Sequence, residues 1–234
     1  MAVTLRKTSM ETRGEKNFIK MPLFAARKYD RLTDNKGVRS SFSKMAGYVA
    51  AQHTQGRLLD VGTGPGRLLL ELKEQIPGIE LHGLDISASM LKIARKRVGE
   101  DVDLKLGNIT KTDYPNDYFD CIVCSGSFYN WDNPIEGLNE IYRILKPGQK
   151  AFLFETTRDY DPELLGINLH NNLAEYGQLR RIMSIMFLKK QLKMTYSTAE
   201  YNQLVLRSKF RDSYSIVRDV LGSLPIYVRI ELAK

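Results

Sequence analysis

Apolar positions change period along the chain, and the changes divide it into elements. Residues 23–31 and 38–52 read as helices. In the second, Val38, Phe42, Met45 and Val49 recur on one helical face, and Gly56 ends the segment. From Arg57 the texture switches. Leu58-Leu59-Asp60-Val61 is a short apolar run that meets glycines at once, and Leu68, Leu69, Leu72 and Ile76 then return to helical spacing until Pro77-Gly78. Residues 79–84 read as a strand. Ser87 is placed to cap a helix carrying Met90, Leu91, Ala94 and Val98, which Gly99 closes. Residues 102–106 alternate like a strand, and residues 119–124 form a more continuously apolar one. Residues 134–145 read as a helix ended by Lys146-Pro147-Gly148, and residues 150–155 as a further strand. Strands alternating with helices of about ten residues predict parallel βαβ units with both sheet faces covered.

After Glu155 the alternation stops. Between Asn172 and Met194, Leu173, Tyr176, Leu179, Met183, Met186 and Phe187 follow a helical stripe, which predicts a helical lid inserted into the α/β unit. Residues 199–210 then read as a helix. Residues 214–220 and 226–232 read as two strands, close enough to pair as an antiparallel hairpin. The expected fold is α/β: a doubly wound, mostly parallel, seven-stranded Rossmann-like sheet with an antiparallel C-terminal strand and a helical lid insertion. Its expected parts are a basic tail with N-terminal helices (1–56), an α/β core that binds the cofactor (57–157), the lid (158–197), and a helix and hairpin completing the core (198–234).

Composition adds limits. The 234 residues include only two cysteines, too few for a disulfide framework. No apolar run approaches the ~18 residues needed to cross a bilayer, and the first ten residues lack the apolar region of a secretory signal. A cytoplasmic, reduced protein is the expectation. The net charge of +8 is uneven: residues 1–56 carry +7 and residues 57–157 carry −3. The basic flank reads as a mobile, solvated tail over residues 1–21. Its alternative reading is contact with an anionic partner: nucleic acid, an acidic substrate or a membrane surface.

The strongest chemical signal is Asp60-Val61-Gly62-Thr63-Gly64-Pro65-Gly66, set between a strand and a helix. Glycines there let the backbone turn sharply and approach a ligand. A dinucleotide fingerprint needs its third glycine at Arg67, and a phosphate-binding loop needs a terminal Gly-Lys-Ser/Thr, so pyrophosphate fits poorly. Asp60 would also repel phosphate. Asp85, some twenty residues on and at the end of the second strand, is placed to accept ribose hydroxyls. A ribose with a cationic tail and no phosphate describes S-adenosyl-L-methionine.

LLDVGTGPGRLLLEL (58–72), LHGLDISASMLKIA (81–94), GNITKTDYPNDYFDCIVCSGSFYNW (107–131) and EIYRILKPGQKAFLFE (140–155) occur in an order and spacing that resemble the class I S-adenosylmethionine-dependent methyltransferases, of the UbiE/menaquinone-type or small-molecule group. ARKYDRL (26–32) resembles that group's short N-terminal motif. The resemblance implies that Gly62, Gly64 and Gly66 pass beneath the methionine part, with Asp60 near its cationic end. It implies that Asp85 takes the ribose hydroxyls, that Ile86 packs on adenine with Met90 close by, and that Asn108 and Ile109 meet the adenine. Many members have Asp in place of Asn108; its amide oxygen is expected to accept from the adenine amino group. Ser125 is expected to meet the methionine part through its backbone, and Tyr29 to close over the cofactor.

Other candidates read as follows. Cys121 and Cys124 sit in a central strand without a second pair, so they read as buried core thiols and no metal is expected. His53 and His82 read as structural, while His170, in the lid, could approach an acceptor. Met183 and Met186 read as lid packing or an apolar pocket wall, and Lys189, Lys190 and Lys193 as a solvated helix end. Phe128, Tyr129 and Trp131 follow the fourth strand, where the resemblance implies that acceptors meet the cofactor. No catalytic residue is assigned, although Tyr29, Asn130 and His170 form the plausible set for a general base. The loop SGSFYNW lacks the Asn/Asp-Pro-Pro-Tyr element of base-amine methylation. The leading expectation is therefore methyl transfer to a small, partly apolar acceptor by in-line displacement. Alternatives are a protein or RNA acceptor held by the basic flank, with Lys16 and Lys20 prominent, and a non-catalytic S-adenosylmethionine-binding protein.

Overall fold

The computed structural model describes residues 21–221 and 224–234. The basic tail expected over residues 1–21, with Lys16 and Lys20, therefore lies outside the described residues except for Met21. Two helices open the described chain, α1 (Leu23–Thr33) and α2 (Lys36–Ala50). The Asn35 side chain accepts from the Val38 N–H and caps α2. Five strands then alternate with helices: β1 (Arg57–Val61), α3 (Arg67–Gln75), β2 (Glu80–Asp85), α4 (Ala88–Val98), β3 (Asp103–Leu106), β4 (Phe119–Ser125), α5 (Pro134–Ile144) and β5 (Leu145–Thr156). The lid segment forms α6 (Pro162–Asn172) and α7 (Gln178–Leu192), and α8 (Thr198–Leu206), β6 (Tyr214–Leu221) and β7 (Leu224–Ala233) close the chain.

The seven strands form one sheet in the order β3-β2-β1-β4-β5-β7-β6. β1 to β5 pair in parallel, and β7 runs antiparallel between β5 and β6. This is the expected doubly wound sheet with its reversed C-terminal strand. The order turns back at β1, so the crevice between the C-terminal ends of β1 and β4 is the topological switch point where such sheets bind ligands. Apolar clusters cover both faces. One joins Leu59, Ile122, Ile141 and Tyr201, and the other joins Met45, Leu58, Leu72 and Phe152. The alternating strand residues pack in opposite directions, which places Cys121 and Cys124 in different clusters, both as buried free thiols.

Three differences from the sequence reading bear on the fold. β5 begins at Leu145, not at Lys150, because Leu145 already pairs with Phe119 before the chain bulges through Pro147 and Gly148 and resumes at Lys150. Gly148 has φ +77, a conformation open to glycine, so the Pro-Gly pair shapes a bulge within the strand. α8 stops at Leu206, short of residue 210, and its start is fixed by a Ser197–Glu200 capping box. The lid holds two helices where one stripe was read. Leu173 is buried, but Leu179 and Met186 are exposed, so the stripe splits at the turn between α6 and α7. Leu165, Leu169, Leu173 and Leu192 instead gather with Leu224 and Ile226 over the end of β7.

Candidate functional site

A cavity of about 210 Å³ opens at the switch point, beneath α1 and the lid. Its floor is the glycine loop. Gly62 donates to the Leu84 carbonyl at 2.7 Å and has φ +70, and a Cβ there would lie 2.2 Å from Ser127 Oγ. Gly64 and Gly126, also at positive φ, line the cavity. A Cβ on Gly64 would meet only the Gly62 carbonyl at 3.9 Å, and one on Gly126 nothing within 4 Å, so both would fill ligand space. Gly66 serves differently. It is outside the lining, and its missing Cβ lets α3 pack on Ala94 and Val98 of α4.

The two carboxylates flanking the loop divide their roles. Asp85 lines the cavity, with Oδ2 accepting from the Gly64 N–H at 2.7 Å and Oδ1 from the Ser87 N–H at 2.8 Å. Burial raises its pKa, and these backbone donors oppose the rise. Each oxygen retains acceptor capacity for a ligand hydroxyl. Asp60 does not line the cavity, contrary to its expected place beside a cationic ligand. It is fully buried beneath the loop, where Oδ2 accepts from Thr63 Oγ1 at 2.8 Å and Oδ1 has no partner. Burial pushes its carboxyl up to about 7, with the Thr63 bond opposing.

Tyr29, Ile86, Met90, Asn108, Ile109 and Ser125 all line the cavity as well. Tyr29 meets Phe187 of the lid edge-on at 5.6 Å, so α1 and α7 close over the cavity together. Burial pushes the Tyr29 phenol up to about 12. The Asn108 reading needs correction. Its Oδ1 accepts from the Thr110 N–H at 2.9 Å and from Thr110 Oγ1 at 3.1 Å, so both lone pairs serve a local turn rather than an adenine amino group. His170 is exposed beside Arg181 and does not line the cavity. Nor do Met183 and Met186, whereas Asn130 and Trp131 do. Trp131 is buried in the loop after β4, with Nε1 donating to Ser127 Oγ at 3.3 Å. His82 is held between Glu80 and Asp103, as a structural histidine.

Sequence reasoning missed two arrangements. Arg67 lines the cavity and ties the helices together, donating to the Asp30 carboxylate at 2.6 Å and to Asp34 at 3.0 Å. Its place at the absent third glycine was the available signal. Glu155, at the end of β5, is fully buried; one oxygen accepts from the Ser127 and Phe128 N–H groups, each at 3.1 Å, while Oε2 has no partner. Burial pushes it up to about 7, against the hydrogen bonds it receives. It holds the loop that follows β4. Thr156 beside it lines the cavity with an unpartnered, buried Oγ1. Among the described residues no group of three His, Cys, Asp or Glu is placed to hold a metal ion.

The cavity thus has two ends. One carries glycines and a hydroxyl-accepting carboxylate, with room where side chains are missing. The other is walled by Leu169, Leu173, Leu188, Leu224 and Ile226, with Thr156, Ser184 and Gln191 as polar points. Asp85 at the first end offers acceptors of the kind that ribose hydroxyls require.

Comparison with known proteins agrees. A family model described as a methyltransferase domain matches residues 59–153. The demethylmenaquinone methyltransferase of Deinococcus radiodurans is 34% identical over 135 residues, which is 56% of this chain and 56% of that protein. The uncharacterized methyltransferase YdaC of Bacillus subtilis is 34% identical over 105 residues, 44% of this chain and 58% of its own. The chain spans about half to three fifths of the length of the curated relatives it matches. The plantazolicin methyltransferase BpumL, solved with a monoazolic desmethylPZN analog and SAH, shares the fold at TM-score 0.72 and 15% identity, covering 96% of each chain. An S-adenosylmethionine-dependent methyltransferase from Aquifex aeolicus shares it at TM-score 0.62 and 16% identity, covering 88% of this chain and 97% of its own. In its strand order, its glycine loop and the matched domain, the chain is similar to S-adenosylmethionine-dependent methyltransferases, the demethylmenaquinone and UbiE enzymes among them.

Proposed function

We propose that this protein transfers a methyl group from S-adenosyl-L-methionine to a small, partly apolar acceptor. The observation that carries the reading is the two-ended cavity: glycines and Asp85 at one end, leucines and isoleucine around Thr156 at the other. Asp85 would hold the ribose hydroxyls and Ile86 the adenine face, while Gly62 and Gly64 leave room for the methionine part. The cofactor supplies an electrophilic methyl with a neutral thioether as leaving group. The remaining work falls to this chain's residues. Ser127, fixed by its hydrogen bonds to the Val61 carbonyl and Glu155, sets the floor between the two ends. Leu169, Leu173 and Leu188 exclude water, and Thr156 Oγ1 offers a hydrogen bond to a polar group on the acceptor. Alignment of this kind can lower a barrier by ~7–11 kcal/mol.

Curated relatives named for demethylmenaquinone and ubiquinone/menaquinone methylation support a small acceptor. Calorimetry against S-adenosylhomocysteine and NADH tests the cofactor. The homocysteine compound is expected to bind, NADH is not, and Asp85→Ala is expected to abolish binding with an unchanged circular dichroism spectrum. Unaltered affinity in that variant would remove the ribose assignment. Transfer of labelled methyl to any acceptor would dismiss a purely cofactor-binding role.

A further inference from the structure

The lid carries a surface that its role as a cover does not explain. On α7, Leu179, Ile182, Met183 and Met186 recur at i, i+3, i+4 and i+7, and form one stripe. Leu179 is 73% exposed, Met186 65% and Ile182 48%, and beside them Phe24 of α1 is 75% exposed. Leu179 and Met183 share a shallow groove with Leu23, Phe24, Arg27 and Arg31, so the two helices present one continuous face. Exposed apolar patches of this kind mark an interaction site.

The charges carried by α7 itself have a single sign. Residues 178–193 contain five Lys or Arg and neither Asp nor Glu. Lys189, Lys190 and Lys193 are exposed, as are Arg27, Lys28 and Arg31 on α1. The only carboxylate of α1, Asp30, is turned inward to Arg67 and Arg97. A face with exposed aliphatic groups amid cations has the pattern of an interfacial helix.

We propose that α1 and α7 form a docking surface for an anionic lipid bilayer. The exposed side chains enter the boundary between headgroups and acyl chains, and the lysines and arginines meet the acidic headgroups. A second copy of the chain would set cations against cations, and Phe24 is a lone aromatic among Leu179, Ile182 and Met186, where a single strand needs successive stacking platforms. The same two helices carry Tyr29 and Phe187 over the cavity. Docking therefore seats the cavity's cover on the membrane, where an apolar acceptor partitions. No helix among the described residues is long and apolar enough to cross a membrane, and the proposed contact is by the outer surface of α1 and α7.

Flotation of the full chain with vesicles tests this without reference to methyl transfer. Binding is expected to vesicles of phosphatidylcholine mixed with phosphatidylglycerol, and not to phosphatidylcholine alone. Leu179→Ser with Met186→Ser, and separately Lys189→Glu with Lys190→Glu, are each expected to lower vesicle affinity about tenfold or more. Neither pair lines the cavity, so affinity for S-adenosylhomocysteine is expected to stay at the parental value and reports that each variant is folded. Failure to float with acidic vesicles overturns the proposal. So does flotation unchanged in both folded pairs, or binding to an RNA homopolymer that replaces vesicle binding and falls with the lysine pair.

Discussion

At the scale of single residues, two carboxyl groups beneath the site are held well above the ordinary carboxylate range by burial. Asp60 and Glu155 are both fully buried, each has one oxygen without a partner, and each is pushed by burial up to about 7. In the unfolded chain such groups ionise near pH ~4. The native state therefore holds protons that the unfolded state has released, and this part of its stability is lost as pH rises through about 7. The melting temperature is expected to fall between about pH 4 and pH 7 and to level off above, and the slope to flatten in the double variant Asp60→Asn, Glu155→Gln. Thermal scans across that range decide it; a slope that survives both substitutions assigns it to other groups. Asp34 works in the opposite sense. The Arg39 bond is the largest cause of a carboxyl held at about 2, so its contribution is present above pH ~4 and disappears in strong acid.

At the scale of elements, α1 is fastened to the cofactor end of the sheet by charge. Asp30 accepts from Arg67 at 2.6 Å and from Arg97 at 3.0 Å, and Arg97 also donates to the Pro65 carbonyl in the glycine loop. The groups are mostly shielded, and hydrogen bonds to charged partners of this sort contribute about 1–3 kcal/mol. Asp30→Ala is expected to loosen α1 locally. Its amides should exchange faster with solvent and S-adenosylhomocysteine should bind several-fold more weakly, while β1 and β4 amides keep their protection. Equal acceleration throughout would show a global loss of stability instead. This fastening was illegible in the sequence because it joins residues 30, 34, 67 and 97, which share no period. The β1–glycine loop–α3 unit was legible because its signals are local: an apolar run, glycines at positive φ and a helical stripe. The lid lies between these cases. In α6, Leu165 and Leu169 are buried while Leu164 and Ile167 are exposed, so apolar residues on opposite sides erase the stripe. In α7 the most regular stripe points outward, and period alone does not distinguish a packed face from an exposed one.

At the scale of the molecule, the two ends of the cavity are built by different parts of the chain. Gly62 and Gly64 belong to the loop after β1 and Asp85 to β2, whereas Leu169, Leu173 and Leu188 come from the lid and Leu224 and Ile226 from the reversed strand β7. α1 and α7 bridge the ends through the Tyr29–Phe187 contact, and Gln191 reaches the loop after β4 by donating to the Tyr129 hydroxyl at 2.8 Å. A ligand at the cofactor end therefore touches elements that the sheet holds rigidly and others that must part for it to enter. The movable ones have most to gain from occupancy. Exchange measured with and without S-adenosylhomocysteine should show the largest slowing in α1 and α7, less in α6, and little in α5 and α8, which lie against the core away from the cavity. If α5 slows as much as α1, binding stabilises the molecule as one unit and the cover has no separate motion. If slowing is confined to the glycine loop and α4, the cofactor end closes without the lid, and the lid answers to the acceptor alone.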